Sequence, residues 1–384
     1  MPSHRRDTRR SSAATVFALN GVVMGTFFSR IADLQLAVGL TEAALGIALA
    51  GLSIGVFLGS LALSQPIEAH GVRRILMIAL PVLAAGPLLV AVFSGGTVSL
   101  FALLGVFGFA FAGVNITMNV EADRIEAAQS RRLLNHCHAI WAVGFLGATV
   151  VGTVVVAARI SLAAHFATVL ALVLVVTVAV VWPMRPAPPR AHVGNGPRRR
   201  IARPTIGILL IMGFAVSGMW LEGTTRNWSI IYLRDVFEPA DWVTTLTLPA
   251  IVIFQIVGRL AADRIIDRYG PVLVARVLTA ITLVGLVLVV AQLSIAVTLI
   301  GFALIGLGIS TVVPQAMSAA ARLGDRPSSE NVAALATLQT LLGLISPPLI
   351  GSVASAYGIH TAFMLLLPLP IVALYFARYL RRAG

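Results

Sequence analysis

The chain has 384 residues, of which 58% are hydrophobic and 11% charged, and its mean hydropathy is +0.94. A soluble protein of this length has too little interior to bury so much apolar side chain, so the composition excludes a soluble globular fold. The net charge of +13 comes from 28 basic residues, all arginine, that lie in short clusters between apolar runs. Since these clusters are not interleaved with aromatic residues, we expect no nucleic-acid partner.

Long apolar runs recur along the chain, each of about 18 or more residues and therefore able to cross a hydrocarbon core of roughly 30 Å. Because unpaired backbone amides are costly in lipid, these runs are predicted to be helices of an all-α polytopic membrane protein. We number them span 1 to span 12. The predicted spans are 13–37, 42–66, 73–94, 98–120, 134–157, 161–182, 205–232, 241–262, 271–292, 295–320, 331–356 and 360–380.

Between spans 6 and 7, residues 184–204 are rich in Pro, Gly and Arg and predict a polar linker. The linker separates an N-terminal six-helix bundle, 1–183, from a C-terminal one, 205–384. Arginines concentrate in the two tails, the linker and every second turn, whereas the opposite loops contain Arg159 and Arg234. Positive residues favour the cytoplasmic side, so we expect both termini and the linker in the cytoplasm.

The two halves repeat one another around the turn that follows their second span. Residues 59–71 read GSLALSQPIEAHG and residues 258–270 read GRLAADRIIDRYG, with the glycines and one acidic residue in register. Such a long-period repeat indicates two pseudo-symmetric halves.

Two six-helix halves, a basic linker and this charged turn resemble the major facilitator superfamily over essentially the whole chain. The resemblance implies a major facilitator fold and a cytoplasmic latch, in which charged groups at helix ends pair in one state and separate in another. Ordinary loop charges around a tight glycine turn are the alternative. The residues matching this latch are Glu68, Gly71, Arg73, Arg74, Gly258, Asp263, Arg264, Asp267, Arg268 and Gly270.

Further stretches, such as GVNITMNVEA in span 4 and EGTTRNWSIIYLRD in span 7, resemble one bacterial inner-membrane branch of that superfamily. Its members are loosely similar to fucose–proton symporters and mostly of unknown substrate. The resemblance implies a multi-pass protein of the bacterial inner membrane. The branch commonly has Asp where this chain has Asn115 and Asn227, which puts any proton role of those two positions in doubt.

The missing carboxylates shift attention to Glu222, which we place late in span 7 and in the outer half of the membrane. A carboxylate within a span usually faces the interior and marks a functional site. Arg226 follows four residues later, in the order that favours pairing on one helix face. Either the two groups neutralise each other at the rim, or Glu222 carries a proton and Arg226 is its exchangeable partner.

Arg30 lies at a comparable depth in span 1, with Asp33 three residues beyond. It contacts an oxygen-rich substrate or a carboxylate such as Glu222, or it anchors the extracellular end of the span. The sequence leaves these alternatives open.

Polar side chains at helical spacing suggest a cavity lining, although amides in lipid also act as contacts between helices. Amides hydrogen-bond hydroxyl groups and indole rings stack on sugar C–H groups, so the set suits a small polyhydroxylated solute. The amides and indoles of this set are Asn20, Asn115, Asn119, Gln255, Gln315, Gln339, Trp141, Trp220 and Trp228, and Thr311 and Ser318 share a face with Gln315.

The run Asn135-His136-Cys137-His138 opens span 5. Adjacent residues point to different helix faces, so we expect no metal site and no cofactor. His138 is either a proton-relay or substrate contact, or a capping histidine.

We therefore expect a monomeric secondary transporter that moves a small polar solute by alternating access, with protons as the coupling ion. The absence of a GxxxxGK[ST] motif argues against ATP as the energy source, and no nucleophile or metal is positioned for an enzyme. The alternatives are a proton-antiport exporter of drugs or metabolites, and a sensor that kept the fold but does not transport.

Overall fold

The computed structural model describes residues 2–129, 133–188 and 203–381, with the backbone alone for 2–8 and 64. Within these ranges the chain is helical and contains no strand. Twelve of the described helices are long and apolar enough to cross a membrane, which confirms the predicted all-α polytopic fold. Their bounds are Arg9–Ser29, Glu42–Ala62, Val72–Phe93, Thr97–Gln129, Leu134–Ala157, Leu162–Val181, Ile206–Phe237, Asp241–Tyr269, Pro271–Val290, Ile295–Ala321, Ser328–Tyr357 and Ile359–Leu380.

Three spans continue well beyond their predicted C-terminal ends. Span 4 continues to Gln129, span 7 to Phe237 and span 8 to Tyr269. Hydropathy marks where the apolar side chains stop, but Glu, Arg and Ala are good helix formers and carry the backbone helix beyond that point. Charged residues that we assigned to turns after spans 4 and 8 therefore lie in helical turns.

Span 10 is broken at its middle into helices Ile295–Ile309 and Val312–Ala321. Pro314 accounts for the break. Proline has no backbone N–H to donate to the carbonyl four residues earlier, and its ring crowds that carbonyl. Ser310 is the residue four positions before Pro314, so its carbonyl oxygen is left without the usual helical partner.

The repeated turns have the same backbone conformation in both halves. Gly71 has φ 82° and ψ 153°, and Gly270 has φ 81° and ψ 156°. Each amide closes the preceding helix, Gly71 N to Ile67 O at 3.0 Å and Gly270 N to Ile266 O at 2.8 Å. Positive φ is costly for residues with a Cβ, so the repeated glycines are explained by the turn itself.

The chain divides into two compact units, Met1–Asn195 and Gly196–Gly384. The division falls inside 184–204, but residues 189–202 lie outside the described residues, so the cytoplasmic linker and the exact bundle limits of 1–183 and 205–384 remain predictions. Arg131 and Arg132 also lie outside them.

In the first unit, span 1 packs along span 5 and span 2 along span 4. In the second unit, span 7 packs against spans 10, 11 and 12, with small residues between them. Residues Ala215, Ala316, Ala320, Ala334 and Ala373 are almost completely buried in that packing. Close helix approach through small residues is how membrane bundles gain van der Waals contact.

Candidate functional site

Glu222 lies near the midpoint of span 7, about 24 Å along the helix from Ile206. It lies midway along the helix rather than late in it, because the helix continues to Phe237, and its depth in the membrane remains a prediction. A carboxylate at the centre of an apolar helix is costly unless polar groups surround it. Its surroundings therefore decide what it can do.

One oxygen of Glu222, Oε1, is the meeting point of three donor side chains. Arg226 Nη2 donates to it at 2.8 Å and Gln255 Nε2 at 3.2 Å. Arg259 Nη2 stands 4.0 Å away, within ion-pair range but longer than a direct hydrogen bond. The predicted pairing of Glu222 with Arg226 is present, and span 8 contributes two further partners.

Arg259 also connects this carboxylate to the break in span 10. Its Nε donates to the Ser310 carbonyl oxygen at 3.2 Å, which is the carbonyl freed by Pro314. Sequence reasoning missed this role, because Arg259 was grouped with the charged residues of the repeated stretch 258–270. Arg259 lies about 16 Å along the helix from Gly270. An arginine inside the apolar run FQIVGRLAA was the available signal.

We call Glu222, Arg226, Gln255, Arg259 and Ser310 the span 7–8–10 cluster. With Glu222 ionised it contains one negative and two positive charges. Only 24% of the Glu222 side chain is exposed, so the charges sit in a partly dry environment where they interact more strongly than in bulk water.

The second part of span 10 adds two buried polar side chains. Gln315 Nε2 donates to Thr311 Oγ1 at 2.8 Å, while Gln315 Oε1 is buried without a hydrogen-bond partner among the described residues. Ser318, predicted on the same face, instead accepts from Arg322 Nη1 at 2.7 Å near the helix end. Thr311 and Gln315 are thus the polar pair available at the break.

The structure does not place Trp228 on a cavity wall. Its side chain has no exposed surface, so the predicted stacking on a solute is unavailable in this conformation. Trp220 is half-buried, and its Nε1 is buried without a partner among the described residues. Gln339 Nε2 in span 11 is likewise buried without a partner among the described residues.

In the first unit, Asn20 of span 1 accepts a hydrogen bond from Trp141 Nε1 of span 5 at 2.7 Å. Asn20 is completely buried, and its Nδ2 has no partner among the described residues. The Trp141 ring stacks on Phe145, with centroids 5.4 Å apart. This hydrogen bond is a polar contact between span 1 and span 5.

A second polar group of the first unit joins spans 4 and 5. Asn119 Nδ2 donates to Asn115 O at 2.8 Å, and His138 Nε2 lies 3.1 Å from Asn119 Oδ1. The amide oxygen is an acceptor, so this contact requires the proton on Nε2. His138 is exposed, with its ring edge against Phe17 at 5.2 Å between centroids. The predicted i,i+4 pair is present and the histidine extends it.

Arg30 is bound within its own unit. It forms an ion pair with Asp33, and its Nη2 donates to Ile160 O at 3.1 Å, in the connection between spans 5 and 6. The helix of span 1 is interrupted at Arg30 and resumes at Ile31. These contacts favour the anchoring alternative, and a substrate contact by Arg30 remains a prediction.

A family model described as the Major Facilitator Superfamily matches residues 13–347. The chain belongs to the major facilitator superfamily. It is therefore a membrane transporter of that superfamily, with the family and fold of a transporter rather than an enzyme.

Two curated relatives are transporters by name. The chain is 25% identical to the uncharacterized transporter y4wD of Sinorhizobium fredii, over 92% of this chain and 93% of that protein. It is 26% identical to an uncharacterized MFS-type transporter of Yersinia pestis, over 93% and 91% of the two chains.

Solved structures resemble this transporter in fold. The nucleoside transporter NupG matches with a TM-score of 0.71 and 12% identity, covering 97% of this chain and 98% of its own. A D-xylose–proton symporter matches with a TM-score of 0.72 and 12% identity, covering 95% and 96%. At these identities the likeness concerns the fold alone.

The predicted latch residues of this transporter divide into two groups. Glu68, Arg73 and Arg74 are exposed beside the Gly71 turn, with the Arg73 guanidinium 5.5 Å from the Trp182 ring centroid. Asp263, Arg264, Asp267 and Arg268 occupy the last turns of span 8 before Gly270. The pairing of these charges across states remains a prediction.

Gly258 lies apart from the other predicted latch residues, in the middle of span 8 and about 18 Å from Gly270. Its part in the latch remains a prediction. A Cβ added there would lie 2.8 Å from the Ser310 Cβ and 3.1 Å from Leu307 Cδ1. Its role is the close contact of span 8 with span 10, which brings the neighbouring Arg259 to the freed carbonyl.

Glu121 is a buried carboxylate that sequence reasoning left without a role of its own. It is 1% exposed in span 4, and its Oε1 accepts a hydrogen bond from Ala187 N at 2.8 Å. Ala187 follows span 6 and is itself 3% exposed. The contact ties the chain that leaves span 6 to the first unit.

Proposed function

We propose that the transporter is a proton-coupled secondary carrier of a small polar solute and that Glu222 carries the proton. The observation that supports this most directly is the span 7–8–10 cluster. It holds a single carboxylate at the centre of span 7, where Arg226, Gln255 and Arg259 converge on one oxygen. A titratable group in the middle of a span is costly to retain without a function.

Protonation of Glu222 would change the cluster in a defined way. The ionised carboxylate attracts both guanidiniums, and the added proton removes the charge that holds them. Gln255 can still donate to a protonated carboxyl, because the carbonyl oxygen of the acid remains an acceptor. The two arginines therefore respond to the proton, whereas the amide contact persists.

Movement of Arg259 would also affect span 10, because its Nε donates to the Ser310 carbonyl oxygen. Release from Glu222 frees the Nη side of the guanidinium to move while its Nε stays on the break. A helix break is a point at which the two helical segments can reorient. This arrangement connects the protonation state of span 7 to the conformation of span 10 without any covalent step.

The strength of the Glu222–Arg226 ion pair allows such a switch to work in both directions. The Arg226 side chain is 34% exposed, so solvent screens its pairing with Glu222. Partly exposed ion pairs contribute about 0.2–1 kcal/mol. The pair can therefore separate and re-form between conformations, as alternating access requires.

The other polar groups are proposed as solute contacts. Thr311 and Gln315 lie at the span 10 break, and Asn119 and His138 form the polar group of the first unit. Amide and hydroxyl groups of this kind hydrogen-bond a solute with several oxygen atoms. We further propose a bacterial inner-membrane location, cytoplasmic termini and a monomer, from the distribution of arginine and the six-plus-six span arrangement.

The test uses the purified full-length protein in liposomes that enclose a pH-sensitive dye. Neutral sugars, polyols, amino sugars, organic acids and lipophilic cations are added in turn, with protein-free liposomes correcting for passive entry of weak acids. We expect internal acidification with one class of solute, and its loss in Glu222→Gln. Glu238→Gln is the matched control, because Glu238 is exposed at the end of the same helix.

Concentration of the solute by Glu222→Gln against a gradient would contradict the proposal. Equal loss in Glu238→Gln would also contradict it, since the effect would then not belong to the central carboxylate. Size-exclusion profiles of both variants establish that they are folded before transport is compared.

A further inference from the structure

We propose that an anionic phospholipid binds on the lipid-facing side of the contact between spans 9 and 12, with its phosphate group at Arg276 and Arg378. This binding site is separate from the proposed transport function and does not depend on proton coupling. It is supported by the position of the two arginines, by the tyrosines beside Arg378 and by the composition of the two spans.

Arg276 lies on the exposed face of span 9, about 7.5 Å along the helix from Pro271. The large side chains on this face are apolar and include Leu273, Val277 and Val284, each at least 50% exposed. An exposed apolar face on a membrane-spanning helix is in contact with lipid. Arg276 is near enough to the end of the span for its long side chain to reach the phosphate groups of the bilayer surface.

Arg378 lies near the end of span 12, which finishes at Leu380. Two tyrosines of the same helix hold its side chain, because its Nη2 donates to Tyr375 Oη and, at 2.8 Å, to Tyr379 Oη. Its guanidinium carbon also lies 3.7 Å from the Tyr375 ring centroid. Tyr375 is exposed, and tyrosine favours the boundary between hydrocarbon and water. The pair therefore fixes a positive charge at the depth of the lipid head groups.

The two arginines lie on the same side of the contact between their helices. Ala275 of span 9 and Ala377 of span 12 are buried in one hydrophobic cluster, and Arg276 and Arg378 are the next residues along each helix. Successive spans alternate in direction, so span 9 and span 12 are antiparallel. A step of one residue turns a helix by about 100°, and on antiparallel neighbours this step turns both chains to the same side of the contact. Both arginines therefore flank one lipid-facing surface.

The charge of this surface selects an anionic lipid. Spans 9 and 12 contain no aspartate or glutamate, and Asp267, the nearest acidic residue along the chain from Arg276, precedes the Gly270 turn. Arginine forms charge-assisted hydrogen bonds with phosphate oxygens. A zwitterionic head group also carries an ammonium, which two arginines repel, whereas phosphatidylglycerol and cardiolipin carry none. Basic residues between spans at the membrane surface bind such anionic head groups.

Quenching of a local fluorophore by brominated lipid measures which lipid occupies this surface. Leu273→Trp places a tryptophan on the exposed face, one helical turn from Arg276. The full-length protein is reconstituted in phosphatidylcholine vesicles with increasing fractions of brominated phosphatidylglycerol or, for comparison, of brominated phosphatidylcholine. Protein without the substitution gives the background from its own tryptophans. Preferential binding is observed as quenching at a lower fraction of the brominated lipid.

We expect phosphatidylglycerol to occupy the site at a fraction about fivefold or more below that of phosphatidylcholine, because one arginine near an anionic surface contributes about that factor. Combined Arg276→Gln and Arg378→Gln should abolish the preference. Combined Arg276→Lys and Arg378→Lys should retain most of it, because the charge remains. Arg322→Gln is the matched control and should leave the preference unchanged, since Arg322 is exposed at the end of span 10 on the same side of the membrane and donates to Ser318.

Equal quenching by the two brominated lipids would overturn the proposal. A preference that persists without both arginines, or that is lost to the same extent in Arg322→Gln, would overturn it as well. Inorganic phosphate distinguishes a lipid site from a site for a soluble anion: millimolar sodium phosphate should leave the quenching as it is in sodium chloride of equal ionic strength. Displacement by phosphate alone would overturn the lipid assignment. Transport is not measured here, so failure of proton coupling leaves these outcomes unaffected.

Discussion

Gly144 in span 5 provides a stringent test of the packing that holds spans 1 and 5 together. A Cβ added to Gly144 would lie 2.6 Å from the backbone oxygen of Ala18 and 3.3 Å from its Cα. Ordinary contact begins at 3.4 Å, so the methyl group is about 0.8 Å too close to an atom that no side-chain rotation can move. Gly144→Ala therefore forces the two helices apart.

The expected loss of stability follows from this steric overlap. Overpacking of a tight core costs about 1–3 kcal/mol. Separation would also lengthen the hydrogen bond from Trp141 to Asn20, now 2.7 Å, and such bonds contribute about 0.6 kcal/mol in membranes. We expect Gly144→Ala to lower the free energy of unfolding by about 1–3 kcal/mol. Unfolding of purified protein in mixed micelles, titrated with dodecyl sulfate, gives this value, and tryptophan fluorescence reports the local change.

Gly147 supplies the matched control on the same helix. A Cβ added there meets no heavy atom within 4 Å. Alanine is the better helix former by about 0.5–1 kcal/mol, so Gly147→Ala should be neutral or stabilising. Equal destabilisation by the two substitutions, or none from Gly144→Ala, would refute the packing of spans 1 and 5 described above.

Two further predictions concern groups outside this contact. The Asn331 amide lowers the pKa of Asp325, which lies between spans 10 and 11, below its ordinary value. The ionised carboxylate therefore stabilises the fold at neutral pH, and this contribution is lost as pH falls through the lowered pKa. In thermal unfolding, the melting temperature of Asp325→Asn should fall less steeply than that of wild type below about pH 4. Glu121→Ala removes the acceptor of Ala187 N and should speed hydrogen exchange of the Ala187 amide, whereas Glu121→Gln, which keeps an acceptor, should not. Unchanged exchange in Glu121→Ala would contradict that tether.

The parts of the fold that depend on local chemistry were predictable. The apolar runs predict twelve helices because lipid leaves the backbone no other solution. The repeated Gly71 and Gly270 predict equivalent turns because both turns need positive φ, and their φ angles of 82° and 81° agree. The Glu222–Arg226 pair was predictable because both residues lie on one face of one helix.

The contacts between helices were not predictable from one sequence. Arg259 lies inside predicted span 8, but its partner cannot be identified until the Ser310 carbonyl is known to be free. Pro314 indicates a break in span 10 but does not identify which side chain satisfies the carbonyl it releases. Trp228 was placed on a cavity wall by residue type, whereas packing places it in the interior with no exposed surface. Burial and long-range pairing are properties of the assembled bundle.

Two transport modes measured in the same liposomes test the central claim most directly. With a solute that the liposome screen identifies, wild type and Glu222→Gln are compared in exchange of labelled for unlabelled solute and in uptake driven by an inward proton gradient. If Glu222 carries the proton, the variant should retain exchange, which needs no net proton movement, and lose gradient-driven accumulation. Accumulation by Glu222→Gln at the wild-type level would show that the proton travels by another group and would contradict the account.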